Sequence, residues 1–188
     1  MYLHTVEVVP YVTSTRNCVA TGSGITAVAM AGVESAFTII AKDRYDNLIR
    51  GGGATFSMDL SSGGDAEMGV TDNEDGTYVA SYMLLVAGTH QLVVARAGYD
   101  IDGSAFTITV VANEAYPPNC FVDALNLGQV TPLIPSTFTV TVYDEYNNLR
   151  TVGDELVVVV ATVNPTSGPP EVSDGAVGYV ANLSLIHI

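Results

Sequence analysis

The sequence repeats itself. Phe37-Thr38-Ile39-Ile40-Ala41-Lys42-Asp43-Arg44-Tyr45-Asp46-Asn47-Leu48 returns as Phe138-Thr139-Val140-Thr141-Val142-Tyr143-Asp144-Glu145-Tyr146-Asn147-Asn148-Leu149, an offset of 101 residues. The same offset carries Tyr78-Val79-Ala80 onto Tyr179-Val180-Ala181. Asn17-Cys18-Val19 returns as Asn119-Cys120-Phe121, and Thr5-Val6-Glu7-Val8-Val9 as Thr107-Ile108-Thr109-Val110-Val111, at an offset of 102; one residue of difference is ordinary loop variation. A fixed period means one structural unit used more than once. The expected organisation is a complete unit over residues 11–111, preceded by the last strand of an earlier unit in 1–10. A second unit in 112–188 ends before its last two strands, and residues 183–188 lack the turn chemistry of Ala87-Gly88.

Within the complete unit the hydrophobic period is two, the period of a half-buried strand. One face would collect Phe37, Ile39 and Ala41; others Tyr78, Ala80 and Tyr82, then His90, Leu92 and Val94, then Phe106, Ile108 and Val110. Turn residues separate these runs at Asp46-Asn47, Gly51-Gly52-Gly53, Ser61-Ser62-Gly63-Gly64, Asp75-Gly76, Ala87-Gly88 and Asp102-Gly103. A turn about every ten residues is the rhythm of a β-sandwich. The pattern predicts seven antiparallel strands at about 17–28 (broken at Gly22-Ser23-Gly24), 35–43, 53–60, 65–71, 77–84, 89–96 and 104–111, with no helix. The fold class is all-β, as tandem sandwiches.

Charge and motifs narrow the function. A formal net charge of −14 opposes phosphate backbones and anionic lipid surfaces. The apolar run Leu156-Val157-Val158-Val159-Val160-Ala161 is far shorter than the roughly 20 residues that span a bilayer. Neither nucleic acid nor membrane insertion is expected. Histidine occurs only at His4, His90 and His187, and no zinc-protease, nucleophile-elbow, phosphate-loop or Cys/His metal spacing is present. An enzyme is not expected, nor is a cofactor. Cys18 and Cys120 hold equivalent positions in successive units, too far apart for a disulfide, and read as reduced, buried thiols. Asn182-Leu183-Ser184 fits the glycosylation triplet, a pattern common by chance.

In an antiparallel sandwich the loops after the second, fourth and sixth strands share one end. They carry Asp43 and Asp46, then Asp72, Glu74 and Asp75, then Asp100 and Asp102. Oxygen-rich loops suit Ca²⁺, whereas Asp and Asn are also ordinary turn residues and no EF-hand spacing occurs.

The run Ala31-Gly32-Val33-Glu34-Ser35-Ala36-Phe37-Thr38-Ile39, with Asp72-Asn73-Glu74-Asp75-Gly76-Thr77-Tyr78, Tyr82, Gly88 and Ile101-Asp102-Gly103-Ser104-Ala105-Phe106, resembles the immunoglobulin-like filamin repeat along its length. The chain departs from that pattern at His90, at Ala105 and in the Ser61-Ser62-Gly63-Gly64 turn. The resemblance implies a spacer, scaffold and partner-docking module of an actin-crosslinking protein in the cytoplasm, whose actin-binding domain is separate and helical. Partners would add a β-strand beside the third strand, in a groove lined by Ala54, Phe56, Met58, Leu60, Ala66, Met68 and Val70; the bland alternative is that this edge packs on a neighbouring repeat of the same chain. A rival reading is an extracellular adhesion array, favoured by scarce lysine and the acidic loops.

Overall fold

The computed structural model describes residues 4, 6–60, 66–123, 138–151, 157–165 and 179–187. The chain divides into two compact units, Met1–Val111 and Ala112–Ile188.

The first unit is built from β1 (Val19–Thr21), β2 (Ala29–Met30), β3 (Ser35–Ile40), β4 (Ser57–Leu60), β5 (Ala66–Asp72), β6 (Thr77–Leu84), β7 (Gly88–Arg96), β8 (Tyr99–Asp100) and β9 (Phe106–Val111). One sheet runs β1-β3-β6-β5 and the other β2-β9-β7-β4, with β8 folded back on the end of β7. The predicted faces are the ones buried. Phe37, Ile39 and Ala41 meet Tyr78, Ala80 and Tyr82 from one sheet, and Leu92, Val94, Ile108 and Val110 come from the other. Phe106 is half-buried, its ring centroid 6.4 Å from that of Phe37. His90, also buried, sets Nε2 2.8 Å from the Val86 carbonyl oxygen.

The break in the first strand moves the chain from one sheet to the other. Gly22 adopts φ +126°, and a Cβ on Gly24 would stand 2.4 Å from the Ala36 carbonyl oxygen. A short 3-10 turn, Ser23–Ile25, follows, and the buried Tyr82 hydroxyl donates to the Gly24 carbonyl. The second half emerges as β2, parallel to β9 rather than antiparallel, with Ala29 opposite Val110. The expected third strand begins late. Residues 53–56 are not paired in a ladder, and β4 starts at Ser57.

In the second unit β10 (Phe121–Asp123) pairs antiparallel with β11 (Thr139–Thr141), as β1 does with β3. β12 (Val157–Pro165) and β13 (Tyr179–His187) pair with each other from Val157↔His187 to Pro165↔Tyr179. Their counterparts in the first unit, β4 and β6, lie in different sheets. β4 there pairs with Leu92–Ala95 of β7, whereas β12 pairs with β13.

Candidate functional site

β4 and β5 are the outer strands of the two sheets. Among the described residues β4 pairs only with β7 and β5 only with β6. Each therefore presents a row of main-chain donors and acceptors on its other side. Between the lead-in to β4 and the end of β5 lies an open depression of about 240 Å³ lined by Gly53, Ala54, Thr55, Phe56, Val70, Asp72 and Tyr78.

Three hydrogen bonds hold this end of the groove in shape. The Gly53 amide donates to Asp72 Oδ2 at 2.6 Å, and Asp72 Oδ1 accepts from the Glu74 amide at 2.8 Å. The Ala54 amide donates to the Tyr78 phenol oxygen at 3.0 Å. The floor is aromatic: Phe56 meets Tyr78 edge-on, centroids 4.8 Å apart.

Of the seven groove residues expected from the sequence, Ala54, Phe56 and Val70 line this depression. Met58 and Ala66 are half-buried further along the two strands, and Leu60 is buried in the core. Met68 is exposed and borders a separate shallow depression with Glu67 and Gly69. Asp72, expected among the loop acids, and Tyr78, expected in the core, also line it. Asp72 continues the period-two face of Val70, so alternation alone could have placed it there; the Tyr78 contact carries no local sequence signal. The turn Ser61-Ser62-Gly63-Gly64 lies outside the described residues.

The acidic loops are tied by main-chain bonds, the Ala41 amide donating to the Gly76 carbonyl and the Asp102 amide to the Cys18 carbonyl. Their carboxylates have separate occupations. Asp43 is buried and accepts from the amides of Tyr11, Tyr45 and Asn47 and from Asn47 Nδ2. The Tyr11 amide is the chief reason its carboxyl is held down at about 2, with Asn47 and Tyr45 adding to it against the cost of burial. Asp46 accepts from Asn17 Nδ2, and Asp75 from the Thr77 amide and hydroxyl, which lower the Asp75 carboxyl. Glu74, Asp100 and Asp102 are exposed. Among the described residues no three of His, Cys, Asp or Glu form a group able to hold a metal ion.

Both cysteines are free thiols that follow short 3-10 turns; Cys18 is buried as expected, whereas Cys120 is only half-buried. Cys18 donates to the Ser14 carbonyl and Cys120 to the Tyr116 carbonyl, at 3.2 and 3.3 Å. Burial pushes the Cys18 thiol up, away from its nucleophilic form.

Two face-to-face sheets, a first strand that changes sheet and two facing edge strands define an immunoglobulin-like sandwich with an open edge groove. The chain belongs to the Filamin/ABP280 repeat family, which it matches over residues 12–107. It is 34% identical over 105 residues to the flagellar outer arm dynein alpha chain of Chlamydomonas reinhardtii, a match covering 51% of this chain and 2% of that one. It resembles the structure of the Escherichia coli adhesin FdeC at 26% identity and a TM-score of 0.59, over 95% of this chain and 58% of that one. The bacterial integrin-binding protein invasin shares the fold at 17% identity and a TM-score of 0.56, over 91% of this chain and 34% of that one. The chain thus spans less than two thirds of each of these proteins. Among the described residues no helix is long and apolar enough to cross a membrane.

Proposed function

We propose that this chain is a segment of a filamin-like array, a spacer and scaffold that docks protein partners by β-strand addition at β4. The observation that carries this reading is the pairing of an open β4 edge with the depression whose mouth Asp72 and Tyr78 brace. An extended peptide laid along β4 would gain main-chain hydrogen bonds for affinity, and its alternate side chains would meet Phe56, Met58 and Val70 for specificity. The same edge could instead seat a neighbouring repeat of the array, which uses the same chemistry.

The module is non-catalytic in this reading, and its placement is cytoplasmic, beside the cytoskeleton. Two free thiols and the likeness to a flagellar dynein chain support that placement. Any link to actin would be made elsewhere in the protein. The likeness to FdeC supports an extracellular adhesion array as the second reading. Protease treatment of intact cells separates them: an intracellular segment survives and a surface array is cut.

Charge placed in the groove tests docking. Ala54→Lys with Met58→Lys is expected to weaken binding of a peptide selected against the full chain at least tenfold. Unchanged binding by this double variant, with the fold intact, would refute docking at this groove.

A further inference from the structure

The longest repeated run carries an Asp-x-Tyr-x-Asn element, Asp43 to Asn47 in the first unit and Asp144 to Asn148 in the second. Asp43 and Asp144 each close a local turn on themselves through the amides at positions two and four further on and the Asn side chain at the latter, Asn47 or Asn148. Each then has one long-range partner. The Tyr11 amide donates to Asp43 Oδ2 at 3.0 Å, and the Asn113 amide donates to Asp144 Oδ2 at 2.9 Å. Both donors belong to the segment by which the chain enters the unit. Both carboxylates are almost wholly inaccessible, with exposures of 1% and 0%.

A second grip takes the same segment by its carbonyls. Arg96 Nη1 donates to the Thr13 carbonyl at 3.4 Å, and Arg150 Nη1 donates to the Asn113 carbonyl. Further along, the Ser14 amide donates to the Lys42 carbonyl, and the Tyr116 amide to the Tyr143 carbonyl. Asn17 and Asn119, equivalent in sequence, reach back to the same loops through Asp46 Oδ1 and through the Asp144 and Glu145 carbonyls. The repeated Asn-Cys and Asp-x-x-x-Asn elements are thus two halves of one fastening.

We propose that Asp43 and Asp144 are latches that set the free length of the connector leading into each repeat. At the junction within this chain, Val111 is held by the first unit, its carbonyl accepting from the Ala31 amide at 2.9 Å. Asn113 is held by the second unit. Only Ala112 stands between. With Asp144 released, the hold passes to Arg150 at the Asn113 carbonyl and to the Tyr116 amide, both of which then open more readily, and the connector extends towards residues 112–115. A pull on the chain therefore meets the carboxylate latch first and yields slack before a sheet opens. This inference does not depend on docking at β4.

Amide hydrogen exchange on the full 188-residue chain tests it. Asp43→Asn is expected to speed exchange of the Tyr11 and Ser14 amides at least tenfold while the β6 amides, from Thr77 to Leu84, stay as slow as before. Asp144→Asn should do the same to Asn113 and Tyr116 and leave Tyr11 alone. Tyr11→Pro removes the donor and keeps the Asp43 turn, and should speed exchange at Ser14 by the same factor if Asp43→Asn fails to fold. Unchanged exchange at these amides, or a parallel rise throughout β6, overturns the latch; the latter outcome would make Asp43 a support of the whole sandwich.

Discussion

The Ala54 amide and the Tyr78 phenol oxygen, 3.0 Å apart, join the lead-in of edge strand β4 to a core residue of the opposite sheet. Tyr78 is 1% exposed, so the contact is fixed by the packing around its ring. Tyr78→Phe keeps the ring and its meeting with Phe56 and removes one acceptor. A loss of about 1 kcal/mol is expected, measured by urea unfolding, with faster amide exchange at Ala54 and none at Leu92.

Two glycines separate strain from crowding. Gly76 has φ +89°, and a Cβ there would stand 1.9 Å from the Ile49 carbonyl oxygen; Gly53 has φ +97° and open space around it. Gly53→Ala should cost about 1 kcal/mol, the penalty of a left-handed conformation. Gly76→Ala must also displace backbone and should cost about 3 kcal/mol. Equal costs in chemical denaturation would show that the Ile49 contact is unimportant.

Leu92 is 1% exposed at the centre of β7, opposite Leu60 and Phe106 on the neighbouring strands. Leu92→Ala should destabilise the first unit by about 2–5 kcal/mol through lost burial and a residual cavity. Urea unfolding of Leu92→Ala beside the parent chain measures it.

Asp43 links stability to acid. Its carboxyl is held at about 2 in the folded unit, against about 3.9 in an unfolded chain. A folded value below the unfolded one means that the stabilisation is present above pH ~4 and is lost as pH falls towards 2. The hold on the entry segment should therefore loosen over that window, and Asp43→Asn should remove the dependence. Exchange of the Tyr11 amide at pH 5, 4, 3 and 2.5 in both proteins, relative to its intrinsic rate, checks this; parallel curves would contradict it.

Much of the sandwich was legible because alternation reports burial directly: Phe37, Ile39, Tyr78, Tyr82, Leu92 and Ile108 were all placed inside by period two, and all are buried. Gly22 and Gly24 announced the broken first strand, but not that its second half would run parallel to β9, since parallel and antiparallel neighbours leave the same local pattern. The late start of β4 follows from Gly53 and Ala54 being tied to Asp72 and Tyr78 instead of a ladder. Such contacts join residues about twenty positions apart and leave no periodic trace. Asp43 was read as one acid among several at a loop end. Its return as Asp144 was visible, yet only the fold brings the Tyr11 and Asn113 amides to these carboxylates.

The central claim is that the β4 edge accepts a partner strand. Extended peptides selected from a random library against the full chain supply a probe, and amide exchange with chemical-shift mapping locates them. The account predicts that bound peptide slows exchange along β4, shifts Phe56, Val70 and Tyr78, and loses affinity at least tenfold with Ala54→Lys and Met58→Lys. Binders that map away from β4 and β5, or that ignore those substitutions, would contradict it.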